Sequence, residues 1–381
     1  MSNGSEHAAA PPGMGARLRE ESALIAGGLT VLMFTLFGEA WLSDLSSLAR
    51  YTLLFGGLFA VMLWLAFAVV RHADALAVRL GEPYGTFILT ISVISIEVVM
   101  IVAVMITGGE NPTLARDTLF SVLMIVMNGL VGICLISGGL RHGEQSYNLQ
   151  GAAAYMGVII PLAILGLVLP RYTYTAPGGQ VTPLMGAFLV LASIVLYAVF
   201  LGIQMSRHRG YFRQPLPRDI QGDDDEHGDL VVHSIAYHAL LLPLTMLPII
   251  LLSKKMAVLV DHGISTLSAP QALGGFFVAI LVLSPEAMAA LNAARQNRLQ
   301  RTINIALGSA LATIGLTIPA VLTIAAVTGK SVELGLPESQ TWLLLVTILV
   351  TMQNLTSQRT NVLQGVVHLT LFVAYIVLMF D

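Results

Sequence analysis

The chain has 381 residues, of which 56% are hydrophobic and 11% charged, with a formal net charge of -3 and a mean hydropathy of +0.80. Soluble domains carry about 25% charged residues, so this composition excludes a soluble globular protein and offers no basic surface to nucleic acid. The single cysteine, Cys134, excludes a disulfide within the chain and sits in an apolar run as a small packing residue.

Residues 1–22 are polar and rich in small side chains. They lack the order of basic start, apolar stretch and cleavage site that marks a signal peptide, and read as a cytoplasmic tail. A membrane span needs about twenty mainly apolar residues. Windows of that kind fall at 23–43, 50–70, 83–107, 117–140, 151–170, 182–205, 233–253, 270–293, 302–328, 340–356 and 361–380. Each is expected to be a helix, because hydrocarbon leaves backbone groups no partner outside their own segment. The fold class is therefore an all-α polytopic membrane protein with about eleven transmembrane helices.

A polar segment at 206–232, containing the acidic run DDDEHGD at 223–229, divides the chain after the sixth window. The expected domains are a tail (1–22), a first helix with its loop (23–49), one five-helix repeat (50–205), the acidic linker (206–232) and a second five-helix repeat (233–381). An odd number of spans per repeat gives the two opposite topology. With the N-terminus in the cytoplasm, thirteen Lys and Arg fall on the inner side and six on the outer. That bias places the C-terminus outside. The outer six include Lys254 and Lys255, read here as loop residues.

One segment occurs twice. Residues 85–97 read GTFILTISVISIE and residues 274–286 read GGFFVAILVLSPE. Gly, Phe, Ile, Val, Ser and Glu coincide, and each copy ends on a carboxylate, Glu97 or Glu286, deep in an apolar window. A charge at mid-bilayer costs at least about 2.5–3.5 kcal/mol, so a retained one marks function. Two at matching places in inverted repeats suggest a cation site at the repeat interface.

Ca2+ takes six to eight oxygens. The two carboxylates would supply part of that shell and cancel the charge. Neutral oxygens are expected from Ser95 and Ser284, each two residues before its Glu, from Thr90, seven residues before Glu97, and from Ser309, Thr313 and Asn128 in the following spans. Thr313 and Thr317 share a face at four-residue spacing. Pro285 has no N–H, which frees the carbonyl of Leu281. With Ca2+ bound, or with two protons bound, such a site is neutral. Empty and ionised, it buries two negative charges, a state disfavoured in low dielectric. A site that crosses only when neutral must exchange Ca2+ for protons.

Other features have plainer readings. The acidic run lacks the spacing of an EF-hand loop and reads as a solvated linker, or as a Ca2+-attracting regulatory segment. His233 and His238, five apart, are expected to act separately, in packing or in a proton pathway. Asp74 and Glu82, with Arg71 and Arg79, suggest an interfacial ion-pair cluster. No HExxH motif is present, and the sequence gives no basis for an enzyme or a resident cofactor.

RHADALAVRLGEPYGTFILTISVISIEV (71–98), LVLSPEAMAAL (281–291), INIALGSALATIGLTIP (303–319) and RTNVLQGVVHL (359–369) closely resemble the calcium/proton antiporters of the cation/calcium exchanger superfamily, in particular the bacterial ChaA type. The resemblance runs from about residue 50 to the end. It implies a ten-helix core of two inverted halves plus one N-terminal helix, in a bacterial inner membrane. It also implies that Glu97 and Glu286 are the essential acidic pair. Many relatives carry Gly-Asn before each acid, where this chain has SVISIE and LVLSPE. An amide expected in the ninth span is Ala312, and Asn128 is offset from its counterpart. The expected partners are Ca2+, H+, Na+ or K+ and the lipid bilayer. Association with further copies of the chain is left open, as are a Na+(K+)/H+ antiporter of the same fold and a cation channel.

Overall fold

Helix boundaries in the computed structural model follow local chemistry. The chain is described at residues 18–80, 84–107, 111–174, 176, 178–206, 208–214 and 233–381. The N-terminal tail up to residue 17, Glu82 and the acidic run 223–229 lie outside the described residues. The long helices are α1 (Ser22–Leu42), α2 (Leu48–Leu80), α3 (Tyr84–Thr107), α4 (Leu114–His142), α5 (Leu149–Tyr172), α6 (Pro183–Met205), α7 (Ile235–Thr266), α8 (Ala272–Arg295), α9 (Leu299–Thr328), α10 (Glu338–Asn354) and α11 (Val362–Phe380). The Thr182 hydroxyl caps α6 by accepting from the Met185 N–H, with Pro183 at the first helical position. Asn361 and Gln364 close a reciprocal capping box on α11.

Among the described residues, nine of these helices are long and apolar enough to cross a membrane. The others are α3, whose apolar stretch is Thr90–Val102, and α10, with 17 residues. The protein is an α-helical polytopic membrane protein.

Two helices outrun their apolar windows. α2 has 33 residues and α7 has 32, each about 50 Å at 1.5 Å per residue, against about 30 Å of hydrocarbon. The flanking stretches ADALAVRL and SKKMAVLV are rich in good helix formers and contain no Pro or Gly, so the helices continue. Lys254 and Lys255, expected in a loop, are therefore helical residues of α7.

The apolar side chains form two separate buried clusters. One is built from α4, α5, α6, α9, α10 and α11. The other is built from α1, α2 and α7. α3 and α8 belong to both. α3 gives Ile94 and Ile101 to the first and Val93, Ile96 and Met100 to the second. α8 gives Ala279 and Leu283 to the first and Val278, Leu281 and Val282 to the second. The two helices that carry the repeated segment thus form the seam between the cores.

Connecting loops hold the first core at both ends. At one end, the strand Gln145–Ser146 pairs antiparallel with Arg359–Thr360. At the other, the Val181 N–H donates to the Val332 carbonyl at 3.3 Å and the Leu334 N–H to that of Gly179 at 3.0 Å. Within this core α4 and α11 approach backbone to backbone. A Cβ on Gly132 would stand 2.9 Å from the Leu369 nitrogen, and one on Gly365 would stand 2.8 Å from that of Ile136. Small residues allow such approaches between membrane helices.

Candidate functional site: two buried carboxylates at the seam

α9 is not a uniform helix. It widens to a π-helical turn at Thr313–Thr317, and α4 widens likewise at Ile125–Leu130. Such turns interrupt the regular ladder and recur at functional sites. Thr313 and Thr317 bound the turn in α9, and both meet Glu97 of α3. The Thr313 hydroxyl donates to one carboxylate oxygen at 2.9 Å, and the Thr317 hydroxyl to the other at 3.1 Å. Glu97 is 1% exposed, so these two hydroxyls take the place of water around it.

Glu286 of α8 follows the buried Pro285 and lies within electrostatic reach of the Ser309 hydroxyl of α9. Its Oε2 is buried and has no hydrogen-bond partner among the described residues. A buried carboxylate oxygen without a partner is costly. Glu286 also lies within electrostatic reach of Glu97 and of Asp74 on α2. Asp74 in turn faces Arg301 of α9.

The expected site residues fall into two groups. Glu97, Glu286, Ser309 and Thr313 are linked by these contacts. Ser95 is half-buried two residues before Glu97. The half-buried Ser284 turns its hydroxyl back to the Ile280 carbonyl at 2.5 Å. Thr90 lies near the Tyr197 hydroxyl of α6. Asn128 is engaged elsewhere. Its amide N–H donates to the Thr347 hydroxyl at 2.8 Å, and its carbonyl accepts from the His368 ring at 3.1 Å. These contacts tie the π turn of α4 to α10 and α11. The expected ion-pair cluster is also rearranged. Arg71 pairs with Glu21 at 3.0 Å, while Asp74 is within electrostatic reach of Arg301 and Glu286. The apolar window ends before Asp74, so hydropathy alone does not place it beside the acid pair.

A cavity of about 510 Å3 lies between α2, α3, α7 and α8. Its walls include Ser253 and Asp261 of α7, Met100, three residues past Glu97, and Leu281, five residues before Glu286. The cavity therefore comes within about one to one and a half helical turns of each acid along its own helix. Leu281 is also the residue whose carbonyl Pro285 cannot satisfy.

The paired hydroxyls give an expected result. Removing either donor with Thr313→Val or Thr317→Val should weaken cation affinity about tenfold, since a hydrogen bond to a charged group contributes about 1.5–3 kcal/mol. The concentration for half-maximal cation-driven proton flux measures this. Unchanged values in both variants would remove the hydroxyls from the site.

Two sequence-related helices, each with an acid set among apolar residues, at the seam of two helical cores define an ion transporter. The chain belongs to the sodium/calcium exchanger protein family, which matches residues 50–206 and 237–380. Within it the chain is a ChaA-type cation/calcium exchanger. It is 41% identical over 315 residues to the sodium-potassium/proton antiporter ChaA of Escherichia coli, covering 83% of this chain and 85% of that protein. It is 22% identical over 276 residues to the Ca(2+)/H(+) antiporter ChaA of Bacillus subtilis, covering 72% and 74%. Among solved structures, native YfkE superposes with a TM-score of 0.71 over 94% of this chain and 99% of that one, at 16% identity. The H+/Ca2+ exchanger CAX gives 0.65 over 94% and 88%, at 12% identity. Both show a shared fold.

Proposed function

We propose that the protein is a secondary active transporter that exchanges Ca2+ for protons by alternating access, with Glu97 and Glu286 binding either ion. The observation that carries this reading is the pair itself: the buried Glu97 and the half-buried Glu286 within electrostatic reach, the latter with a buried, unpartnered oxygen. Two ionised carboxylates balance one Ca2+ or two protons. Ser309 and Thr313, and with them Ser95, Ser284 and Thr90, supply neutral oxygens on the same three helices. Asn128 joins them only after leaving Thr347 and His368. The cavity beside Met100 and Leu281 is the route from one face.

The same reading takes the chain as eleven spans, the last ten in two inverted halves, with the N-terminus cytoplasmic and the C-terminus outside a bacterial inner membrane. The loop pairings support it. The α4–α5 and α10–α11 loops meet each other, and so do the α5–α6 and α9–α10 loops. Each pair follows helices of one parity, as alternate crossing requires.

A second reading, Na+ or K+ exchanged for protons, is favoured by the name of the Escherichia coli relative. It changes the charge count. One monovalent ion leaves one carboxylate uncompensated, so a neutral loaded site needs two such ions, or one ion and one proton. Uptake of 45Ca2+ by proteoliposomes under an imposed pH gradient, with and without Na+ or K+, separates the two. Proton-driven 45Ca2+ uptake that Na+ and K+ leave unchanged supports Ca2+. Absent Ca2+ uptake with gradient-driven Na+ or K+ flux supports the second reading. Cation flux that does not move protons indicates a channel and rejects both.

The acidic run gives a smaller expected result. Neutralising Asp223, Asp224, Asp225 and Glu226 together should leave the transport rate within about twofold, as for a surface change. A larger loss that raised Ca2+ restores assigns the run a regulatory role.

A further inference from the structure

A second cluster of titratable groups lies at the opposite end of α2 and α7 from the cavity. Glu20 and Glu21, just before α1, meet Arg71 and His72 near the end of α2 and His233, Tyr237 and His238 at the start of α7. The exchange site uses none of them. His72 and His238 are both 2% exposed or less. Their Nδ1 atoms face each other at 3.0 Å.

The proton positions in this cluster follow from its neighbours. The backbone N–H of His233 donates to His238 Nε2 at 3.0 Å. A backbone amide can only donate, so Nε2 accepts, and the neutral ring of His238 carries its hydrogen on Nδ1. That hydrogen points at His72 Nδ1, which must accept. His72 then carries its own hydrogen on Nε2, which stands 3.1 Å from a carboxylate oxygen of Glu21. Glu21 is fixed as the acceptor at the other end. It receives the Arg71 guanidinium at 3.0 Å and the Tyr237 hydroxyl at 2.8 Å. Arg71 also stands 3.5 Å from His72 Nε2, but its shorter 3.0 Å bond goes to Glu21, so both ends of the chain dictate the same direction, from His233 through His238 and His72 to Glu21.

This one-way chain has no place for another proton. On His72 Nδ1 it would set two N–H groups head to head across 3.0 Å. On His238 Nε2 it would face the His233 N–H. Either position loses a hydrogen bond inside a buried cluster and adds a positive charge beside Arg71. Glu20, bonded to His233 at 2.8 Å, and Arg79, which donates to the His233 carbonyl at 3.2 Å, complete the charged surroundings.

We propose that His72 and His238 form a proton-operated latch, distinct from Glu97 and Glu286, that ties the end of α2 and the start of α7 together through Glu21, the residue before α1. Closed, the latch holds this end shut while the cavity at the other end is open. One proton opens it and lets the ends of α2 and α7 part. The proton acts here as a regulatory ligand and is not the one carried across.

Two measurements on the purified full-length protein in nanodiscs, with no ion gradient, test this without relying on transport. The first is 15N-histidine NMR at about pH 8, above the usual histidine range, with signals assigned through His72→Gln and His238→Asn. The expected tautomers are Nε2–H for His72 and Nδ1–H for His238. The reverse tautomers, or two rings that stay neutral down to about pH 3, overturn the latch. The second is the distance between spin labels at Val78→Cys and Ile235→Cys, both exposed positions, with Cys134→Ser. Acidification over the same range should replace the pH 8 distance by a longer one in a single transition. His72→Gln with His238→Asn keeps an amide donor at 238 and an amide oxygen at 72 but leaves neither position able to titrate, so its pH 8 distance should persist. The transition should survive in the Glu97→Gln, Glu286→Gln variant. No change with pH, an equal change in the variant lacking both rings, or loss in the variant lacking both carboxylates each overturns the proposal. Because the NMR result needs no variant to fold except for assignment, it decides the matter if the variant lacking both rings is unstable.

Discussion

Replacing either Glu97 or Glu286 by Gln should abolish proton-driven cation exchange, while the protein still inserts and folds. Gln keeps the size and one oxygen but removes the charge and the titrating proton. The remaining carboxylate cannot neutralise Ca2+, and the loaded site would carry a net charge through a low-dielectric core. The fold tolerates the change because Gln retains a carbonyl to accept from Thr313 or Thr317 at residue 97, or to stay near the Ser309 hydroxyl at residue 286. Ser95→Ala and Ser284→Ala are expected to cost far less, since each removes one neutral oxygen. Protons and Ca2+ compete for the same oxygens, so acidifying the loading side should slow Ca2+ entry. Reconstituted transport with a folding control by size-exclusion chromatography measures all of these. Wild-type coupled exchange in both Gln variants would rule out the two-carboxylate mechanism.

Gly132→Leu or Gly365→Leu should be the most damaging change to the fold itself. Each glycine stands against the backbone of the other helix, with less than 3.0 Å between an added Cβ and a main-chain nitrogen. A backbone cannot move aside as a side-chain tip can. α4 and α11 must separate, which also pulls Asn128 of α4 from His368 of α11. Overpacking typically costs about 1–3 kcal/mol, and here the lost contact runs along two helices. Thermal unfolding in detergent should fall by many degrees, with loss of monodisperse protein. An unchanged unfolding temperature would show that the helices can part freely.

Much of this architecture was legible in the amino-acid order, because hydrocarbon imposes a simple rule on length and polarity. The windows anticipated each long helix, and the repeated segment picked out the two helices that the structure places at the seam. Glu97 meeting Thr313 lay within reach of the same reading, since Thr313 and Thr317 recur at a helical spacing. Other features were hidden by the method that found these. An apolar window stops where hydrocarbon stops, so it ended α2 and α7 early and left Asp74, Lys254 and Lys255 outside the helices that hold them. Asn128 looked like a ligand because a mid-membrane amide needs partners. Its partners, Thr347 and His368, are over two hundred residues away and cannot be found from local spacing. His233 and His238 looked unrelated at five residues apart on a helix. The helix begins between them at Ser234, so a backbone N–H outside it reaches a ring inside it.

The paired loops carry a consequence for how the protein is made. The strand at Gln145–Ser146 pairs with Arg359–Thr360, and the turn at Gly179–Val181 is met by Val332–Leu334. During synthesis the first half enters the bilayer long before either partner exists. Its helices must wait, unsealed at both ends, until almost the whole chain has been translated. Contacts of such long sequence separation form late. Ribosome stalling or truncation before residue 359 should therefore leave α4 and α5 inserted but their connecting loop open to protease, so that completion of the last helix, rather than entry of the first, commits the molecule to its final form.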